Sequence, residues 1–327
     1  MRSRRIMKRL AAALFALGAV AAQAQQKVVF QTNWFAQAEH GGLYQALAEG
    51  TYRKHGLDVT LRMGGAQVNG LQLLAVGQVD MWMGFDIVNY KAWEQGVPAV
   101  SVATFFQKDP TVVIAHSDVK QFADLKTKTV LVSADGQTNW WPWAKAKYGL
   151  RDEQTRPYTF NVQPFVANRN VAQQGYLTSE TLAVQKAGVK DATVFLLADL
   201  GYPPYTETVT VLRKTIEQRP AMIEAFLRAT MEGWRSYLAN PAPGNALIKK
   251  DNPAMSDELL AYGLQKIKQM GLVTGGDAAK QGIGIITEAR MKQTWDMMVA
   301  NKLIDPSKVK FHDAWDDRFV RDLKVMP

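Results

Sequence analysis

The residues that could bind a ligand are aromatic and polar side chains gathered where predicted strands end. They are Trp34, Phe35, His40, Gly41, Asn69, Phe85, Asp86, Phe106, Asn139, Trp140, Tyr176 and Glu180. Apolar walls with a few polar groups are typical of a pocket for a small organic molecule. In open α/β sheets, ligands bind beyond the carboxyl ends of the strands, where these residues would lie. The sequence therefore predicts a small-molecule site built from loops.

Each of these aromatic side chains has an alternative interpretation as part of the core. Trp82 lies on an apolar strand, so we assign it to the core. Trp34 and Trp140 each follow an asparagine in a turn-like stretch, which favours the pocket. The pair Gly41-Gly42 has a structural and a functional interpretation. It could simply begin the next helix, or it could let the backbone approach a ligand closely.

The sequence contains no pattern that nominates a reaction. It lacks a phosphate-binding loop, a complete dinucleotide fingerprint and a nucleophile elbow. It has no cysteine, and its four histidines do not have metal-ligand spacing. We therefore predict no catalytic residues, no metal site and no cofactor.

Composition excludes further classes of protein. The chain has 327 residues, of which 47% are hydrophobic and 21% are charged, so it can form a large core. Five of the 39 basic residues precede residue 10, which leaves 34 basic and 30 acidic residues afterwards. Because the remaining charge is small and forms no basic stripe, the sequence predicts no nucleic-acid partner.

The first 24 residues have the pattern of an export signal. A basic start is followed by the apolar run Leu10–Ala22 and by Ala22-Gln23-Ala24. The run is shorter than the about 20 residues that span a membrane. We predict cleavage near Gln25 and a periplasmic location.

Strands and helices alternate along the rest of the chain, which predicts an α/β fold with a largely parallel sheet in each half. The predicted strands include Lys27–Thr32, Leu57–Met63, Val79–Gly84, Ala99–Phe106, Thr129–Ser133 and Thr206–Arg213. The last third is predicted to be helical, with helices from Pro220 to before Asn240 and at Asp257–Met270, Glu288–Asn301 and Ala314–Leu323. Crossings between two lobes are expected near 110–115 and 203–211. This predicts a signal peptide at 1–24, a discontinuous lobe 1 at 25–112 plus 207–327, and lobe 2 at 113–206.

Several of these motifs resemble a known family, the periplasmic substrate-binding proteins of ABC importers. The resemblance is strongest to the group related to thiamine-pyrimidine synthase, which also includes sulfonate and nitrate binders. It is carried by Asn33-Trp34-Phe35, His40-Gly41-Gly42-Leu43-Tyr44, Gly56-Leu57-Asp58-Val59, Asp199–Pro203 and the helix Ala225–Thr230 with Gly233-Trp234. The resemblance implies a two-lobe periplasmic-binding-protein fold of type II, with a ligand cleft between the lobes. It also implies a monomer that delivers a solute to an inner-membrane ABC permease with its ATPase.

The resemblance further implies a thiamine-related aminopyrimidine as the solute. Trp34 would then stack on the ring and Glu180 would accept hydrogen bonds from its amino edge, while His40 matches the family histidine. Another aromatic solute, such as a flavin or an aromatic acid, is an alternative, as is a sulfonate or nitrate. The synthases of this fold are enzymes, but they use a cysteine-rich motif that this chain lacks.

Overall fold

The computed structural model describes residues 25–327, so the predicted export signal lies outside the described residues. Within the described part of the chain, no helix is long and apolar enough to cross a membrane.

The strands form two separate five-stranded sheets. They are β1 Gln26–Gln31, β2 Leu57–Arg62, β3 Met81–Phe85, β4 Ala99–Phe106, β5 Thr111–Ala115, β6 Thr129–Val132, β7 Thr155–Pro157, β8 Val171–Tyr176, β9 Thr193–Leu196 and β10 Thr206–Leu212. The first sheet has the order β2-β1-β3-β10-β4, and the second has the order β7-β6-β8-β5-β9. The predicted α/β fold with two lobes is confirmed.

Each sheet contains one strand that runs against its neighbours. β10 is antiparallel to β3 and β4, and β5 is antiparallel to β8 and β9. Both strands directly follow a passage of the chain from one sheet to the other. Such a strand begins at the edge where its neighbours end, so it must run in the opposite direction. The expectation of largely parallel sheets is therefore correct only for the strands joined by helices.

The helices cover the sheets and form most of the last third of the chain. They are α1 Gly41–Ala48, α2 Thr51–Lys54, α3 Gly70–Ala75, α4 Asp86–Glu94, α5 Ala134–Thr138, α6 Trp140–Tyr148, α7 Gln163–Ala167, α8 Glu180–Lys186, α9 Arg213–Gln218, α10 Pro220–Ala239, α11 Ala242–Asp251, α12 Asp257–Gln269, α13 Ala278–Gln281 and α14 Glu288–Ala300. The helices predicted to begin at Pro220, Asp257 and Glu288 are confirmed.

The helix predicted at Ala314–Leu323 is wrong. The structure places turns there and a single 3₁₀ turn at Asp317–Phe319, which the Asp316 side chain caps. Trp315 forms an isolated parallel bridge to Ser101 of β4. The segment therefore extends the edge of the first sheet, and this tertiary pairing replaces the helical hydrogen bonds that its apolar spacing suggested.

Two connections join the sheets, at 107–110 and 197–205. The Arg290 guanidinium donates hydrogen bonds to the carbonyl oxygens of Gln107 (2.9 Å) and Pro203 (3.2 Å), one in each connection. It also lies over the ring of Tyr205, 4.7 Å from its centroid. Arg290 thus ties the two connections together. The lobe boundaries at 112/113 and 206/207 stay a prediction.

Helix α10 is the centre of the first lobe's core. Its Phe226 stacks on Phe30 of β1, with the ring centroids 5.0 Å apart. Trp234 and Tyr237 lie against the start of α1, where a Cβ atom on Gly42 would be 2.3 Å from the Trp234 ring. The close contact of two helices therefore accounts for Gly41-Gly42.

Candidate functional site

A cavity lies between the two sheets at the carboxyl ends of their strands. Its space amounts to about 430 Å³, part of it open to solvent. The first lobe contributes Asn33, Trp34, Gln37 and Phe85. The second sheet and the segments that follow its strands contribute Thr111, Ser133, Asp135, Gly136, Asn139, Trp140, Gln174, Gly175, Tyr176 and Glu180. The position agrees with a site for a small molecule.

The structure brings half of the sequence-predicted site residues to this cavity. Those that line it are Trp34, Phe85, Asn139, Trp140, Tyr176 and Glu180. Those that do not line it are Phe35, His40, Gly41, Asn69, Asp86 and Phe106. Asn69 is exposed and caps α3 by accepting from the Gln72 amide (3.0 Å), and Phe106 packs on Trp234 of α10. Both side chains therefore have structural contacts of their own.

Trp34 reaches across the cleft from the first lobe to the second. Its ring is nearly parallel to that of Tyr158, with 6.0 Å between centroids and 8° between planes. Phe35 and Phe160 present their edges to the same indole, with centroids 5.6 Å and 6.1 Å away. The indole is only half-buried and forms part of the cavity surface. Its position depends on closure of the cleft, since two of its neighbours belong to the other lobe.

His40 lies behind the cavity and holds Asn33 in place. The Asn33 amide accepts from Nε2 of His40 (2.9 Å) and donates to Oε1 of Glu207 (3.1 Å). Burial lowers the pKa of His40 to about 3, so its imidazole is neutral at physiological pH. A neutral ring with Nε2 protonated fits this arrangement. His40 therefore acts on the site through Asn33.

Glu180 is buried, and both of its oxygens already have partners. Oε1 accepts from the Tyr158 hydroxyl (3.1 Å), and Oε2 accepts from the Tyr176 amide (2.7 Å) and the Ser179 hydroxyl (2.5 Å). Burial raises the pKa of Glu180 despite these hydrogen bonds. Its carboxyl therefore joins the strand end at Tyr176 to the loop that carries Tyr158.

The sequence analysis missed the polar part of the second lobe's wall. Ser133, Asp135 and Gly136 follow β6, and Gln174 projects from β8 beside them. Ser133 accepts from the Gly136 amide (3.1 Å) and from Nε2 of Gln174 (2.9 Å), which fixes the turn. The signal was present in the sequence as Ser-Ala-Asp-Gly after a predicted strand, and none of these residues was among the predicted site residues.

Two buried polar atoms of the cavity wall have no hydrogen-bond partner among the described residues. They are Nε1 of Trp140, a donor, and Oε1 of Gln37, an acceptor. Unpaired buried polar atoms are destabilising unless something binds to them. One of these atoms belongs to each side of the cleft, since Gln37 comes from the first lobe and Trp140 from the second.

Four further carboxyl groups are buried around the connections and the cleft. Glu39 accepts from the Thr178 hydroxyl of the other lobe, Asp86 from the Tyr205 amide, Asp109 from the Thr111 amide, and Glu207 from Asn33. Burial raises the pKa of Glu39 and of Asp86 to about 7 and that of Asp109 to about 6. Burial also raises the pKa of Glu207 well above its usual value. In the folded protein these groups retain protons that they release on unfolding.

We therefore expect the protein to be more stable at pH 5 than at pH 8. The folded-state pKa values lie above the unfolded values of about 4, so the contribution is fully present below pH 4 and is lost as pH rises towards 7. Each group contributes up to about 1.4 kcal/mol per pH unit inside that window. Melting temperatures measured from pH 8 down to pH 5 should rise.

Glu207→Gln is the matched control, because glutamine accepts from Asn33 in the same way but carries no charge at any pH. The slope of melting temperature against pH should be shallower in this variant. Exposed carboxyls such as Asp118 and Asp124 have lowered pKa values, so they do not titrate in this window. A melting temperature that increases from pH 5 to pH 8 would contradict the assignment of protons to the buried groups.

Comparison with family models places a match over residues 37–243, described as NMT1/THI5 like. The chain belongs to the NMT1/THI5-like family. The matched segment contains α1, the whole second lobe with its cavity wall, and α10. Asn33 and Trp34 precede it, so their assignment to the site depends on the structure.

Two relatives of this NMT1/THI5-like chain are named for the molecules that they bind. A formylaminopyrimidine-binding protein of Halalkalibacterium halodurans is 25% identical over 282 residues, which cover 81% of this chain and 85% of that protein. The riboflavin-binding protein RibY of Chloroflexus aurantiacus is 24% identical over 233 residues, which cover 66% of this chain and 64% of that protein. Both names are those of binding proteins for nitrogen-containing aromatic rings.

A solved structure supports the fold. The alkanesulfonate-binding protein SsuA of Xanthomonas axonopodis pv. citri, bound to MOPS, superposes with a TM-score of 0.67 at 15% identity. The match covers 89% of this chain and 98% of that one. At this identity it establishes the shared two-lobe architecture of periplasmic binding proteins.

Proposed function

We propose that this NMT1/THI5-like protein is the solute-binding component of an ABC importer, and that its solute is a thiamine-related aminopyrimidine. The observation that carries the proposal is the cavity between the lobes, where aromatic walls surround an unpaired donor and an unpaired acceptor. The relative named for binding a formylaminopyrimidine supports the same ligand class.

The cavity surface suits a small flat ring with polar edges. Trp34 and Tyr176 offer aromatic faces or edges, and each aromatic contact contributes about 0.5–1.5 kcal/mol beyond area burial. The Trp140 N–H can donate to a ring nitrogen, and Oε1 of Gln37 can accept from an amino group, with about 0.5–1.5 kcal/mol for each hydrogen bond. With the ring's own burial, these contacts approach the roughly 8 kcal/mol of micromolar binding.

A sulfonate or nitrate fits the same wall poorly. Anion sites rely on arginine forks or on several clustered donors. The side chains that line this cavity include no lysine or arginine, and they include the carboxyl groups of Asp135 and Glu180. An anion would therefore have no cationic side chain to pair with in this wall.

Closure of the cleft provides the coupling to transport. The ligand would contact Trp34 and Gln37 from one lobe and Trp140 and Tyr176 from the other, so binding stabilises the closed form. The proposal includes export to the periplasm, as the first 24 residues predict, and a permease with its ATPase as the partner. It also holds that the protein binds its solute without transforming it.

A thermal-shift experiment on residues 25–327 tests the ligand class. The probes are 4-amino-5-hydroxymethyl-2-methylpyrimidine, riboflavin, MOPS and nitrate. At about 100 times its dissociation constant, a ligand adds about 2.7 kcal/mol to the free energy of unfolding. We expect the pyrimidine to raise the melting temperature by roughly 4 °C.

The other outcomes separate the alternatives. Stabilisation by riboflavin alone would assign the cavity to flavins, in line with the relative named RibY. Stabilisation by MOPS or nitrate alone would contradict the aromatic-ligand proposal. Recovery of the pyrimidine in altered form, measured by mass spectrometry, would show an enzyme.

A further inference from the structure

Beside the cavity, the two lobes meet along a seam of polar contacts. The first-lobe side of the seam is the 3₁₀ turn Ala38–His40 with helix α12, and the second-lobe side is the segment that follows β8. The Glu39 carboxyl accepts from the Thr178 hydroxyl. The Tyr262 hydroxyl of α12 lies 2.9 Å from that of Thr181. Because each contact joins the two lobes, both must break when the cleft opens.

Helix α12 packs closely over this seam. A Cβ atom on Gly263 would be 2.8 Å from the Cβ of Ala38 and 3.2 Å from the carbonyl oxygen of Thr178, one neighbour from each lobe. Glu39 and Thr178 are each only 1% exposed. Oε2 of Glu39 has no hydrogen-bond partner among the described residues. Closure of the cleft therefore buries a carboxyl group with one of its two oxygens unpaired.

The groups that face Glu39 in the described part of the chain offer it no positive charge. Its neighbour His40 is neutral at physiological pH. The other titratable groups around it are acidic, namely Glu180 and Tyr176 of the second lobe, Glu207 of β10 and Tyr237 of α10. Burial raises the pKa of Glu39 from its usual 4.5 to about 7, although the Thr178 hydroxyl lowers it. In an open cleft the same carboxyl would lie in water and keep its usual pKa.

We infer that Glu39 is a proton-coupled latch: its carboxylate takes up a proton from solution when the second lobe closes over it, so the protein binds its solute more tightly in mildly acidic than in mildly alkaline solution. This inference rests on the proposed function, because it concerns closure of the same cleft over the solute. It does not depend on which aromatic ring is bound.

The direction of the effect follows from the two forms of the carboxyl group. Below about pH 4 it is protonated whether the cleft is open or closed, and above about pH 8 it is ionised in both, so closure does not depend on pH at either extreme. Between these limits closure takes up a proton, and the affinity falls by up to about tenfold per pH unit as the pH rises. For Glu39 alone, the fall between pH 6 and pH 8 is about tenfold.

The test is calorimetric titration of the protein at pH 6 and pH 8, with 4-amino-5-hydroxymethyl-2-methylpyrimidine and riboflavin as separate probes. Glu39→Gln keeps an oxygen that can accept from Thr178 and carries no charge at either pH. The ratio of the affinity at pH 6 to that at pH 8 should be at least about fivefold larger in the wild type than in Glu39→Gln. A proton taken up by the pyrimidine ring itself enters both ratios equally, so it cancels in this comparison.

Thr178→Val is a second variant that acts in the opposite direction. Valine keeps the shape of the side chain but removes the hydroxyl that lowers the pKa of Glu39. The ratio of affinities should therefore be larger in Thr178→Val than in the wild type. A ratio at or below that of the wild type would contradict the inference, whether or not Glu39→Gln folds.

Tyr262→Phe is the matched control on the same seam. It removes a hydrogen bond between two uncharged hydroxyl groups, so it should weaken binding by the same factor at pH 6 and pH 8. Equal ratios in the wild type and in a folded Glu39→Gln protein, for a probe that binds, would overturn the inference and leave the proposed function standing. If the wild type binds neither probe at either pH, the proposed function itself fails, and the inference fails with it.

Discussion

Replacing Trp34 with alanine should weaken binding of the aminopyrimidine about a hundredfold. The indole supplies a large apolar face of the cavity, and loss of that face removes about 3 kcal/mol of stacking and buried area. It also removes the contacts with Tyr158 and Phe160, which belong to the other lobe. Titration calorimetry would measure the affinity, and quenching of tryptophan fluorescence by the ligand should fall in the same variant.

Trp295→Ala is the matched control for this experiment. Trp295 is also half-buried, and it packs on Tyr90 and Phe311, with centroids 5.2 Å and 6.0 Å away. It does not line the cavity. Its loss should lower the melting temperature and leave the affinity unchanged. Equal affinity in wild type and Trp34→Ala would show that Trp34 only packs the lobes together.

The parts of the fold that depend on short-range patterns could be predicted from the sequence. The helix at Pro220–Ala239 follows from a proline start and a continuous apolar stripe, and the structure contains it. The alternation of strands and helices sufficed for two α/β lobes. The direction of β5 and β10 could not be predicted, because it depends on where the chain crosses between the sheets. The pairing of Trp315 with Ser101 likewise depends on residues more than 200 positions apart.

The candidate site, like the fold, could be predicted from the sequence only in part. Trp34 and Trp140 could be found because an aromatic residue in a turn is conspicuous in sequence. The roles of His40 and Glu180 could not, since each depends on which other side chains lie within hydrogen-bond distance. His40 contacts Asn33, whose other partner, Glu207, is 174 residues further along the chain. Asp135 was missed because a single aspartate in the first turn of a short helix has no local sequence mark of being unpaired.

Gly233→Ala should have the largest effect on stability, even though Gly233 lies outside the cavity. A Cβ atom there would be 2.2 Å from the carbonyl oxygen of Gly42 and 2.7 Å from the Cβ of Ala46. The first contact is with backbone, so no side-chain rotation can relieve it, and α10 must move away from α1. We expect a loss of about 3 kcal/mol or more, which corresponds to a fall in melting temperature of roughly 5 °C or more.

Gly77→Ala distinguishes this clash from the general effect of replacing a glycine. Gly77 has φ of +74°, and nothing lies within 4 Å of a Cβ atom there, so its replacement adds backbone strain alone. Its cost should be about 1 kcal/mol. Helix α1 begins directly after His40, so a displacement of α1 in Gly233→Ala should also disturb Asn33 and weaken ligand binding, whereas Gly77→Ala should not. Equal losses of stability in the two variants would contradict the close packing of α1 on α10, because only that packing makes Gly233 different from a glycine in open space.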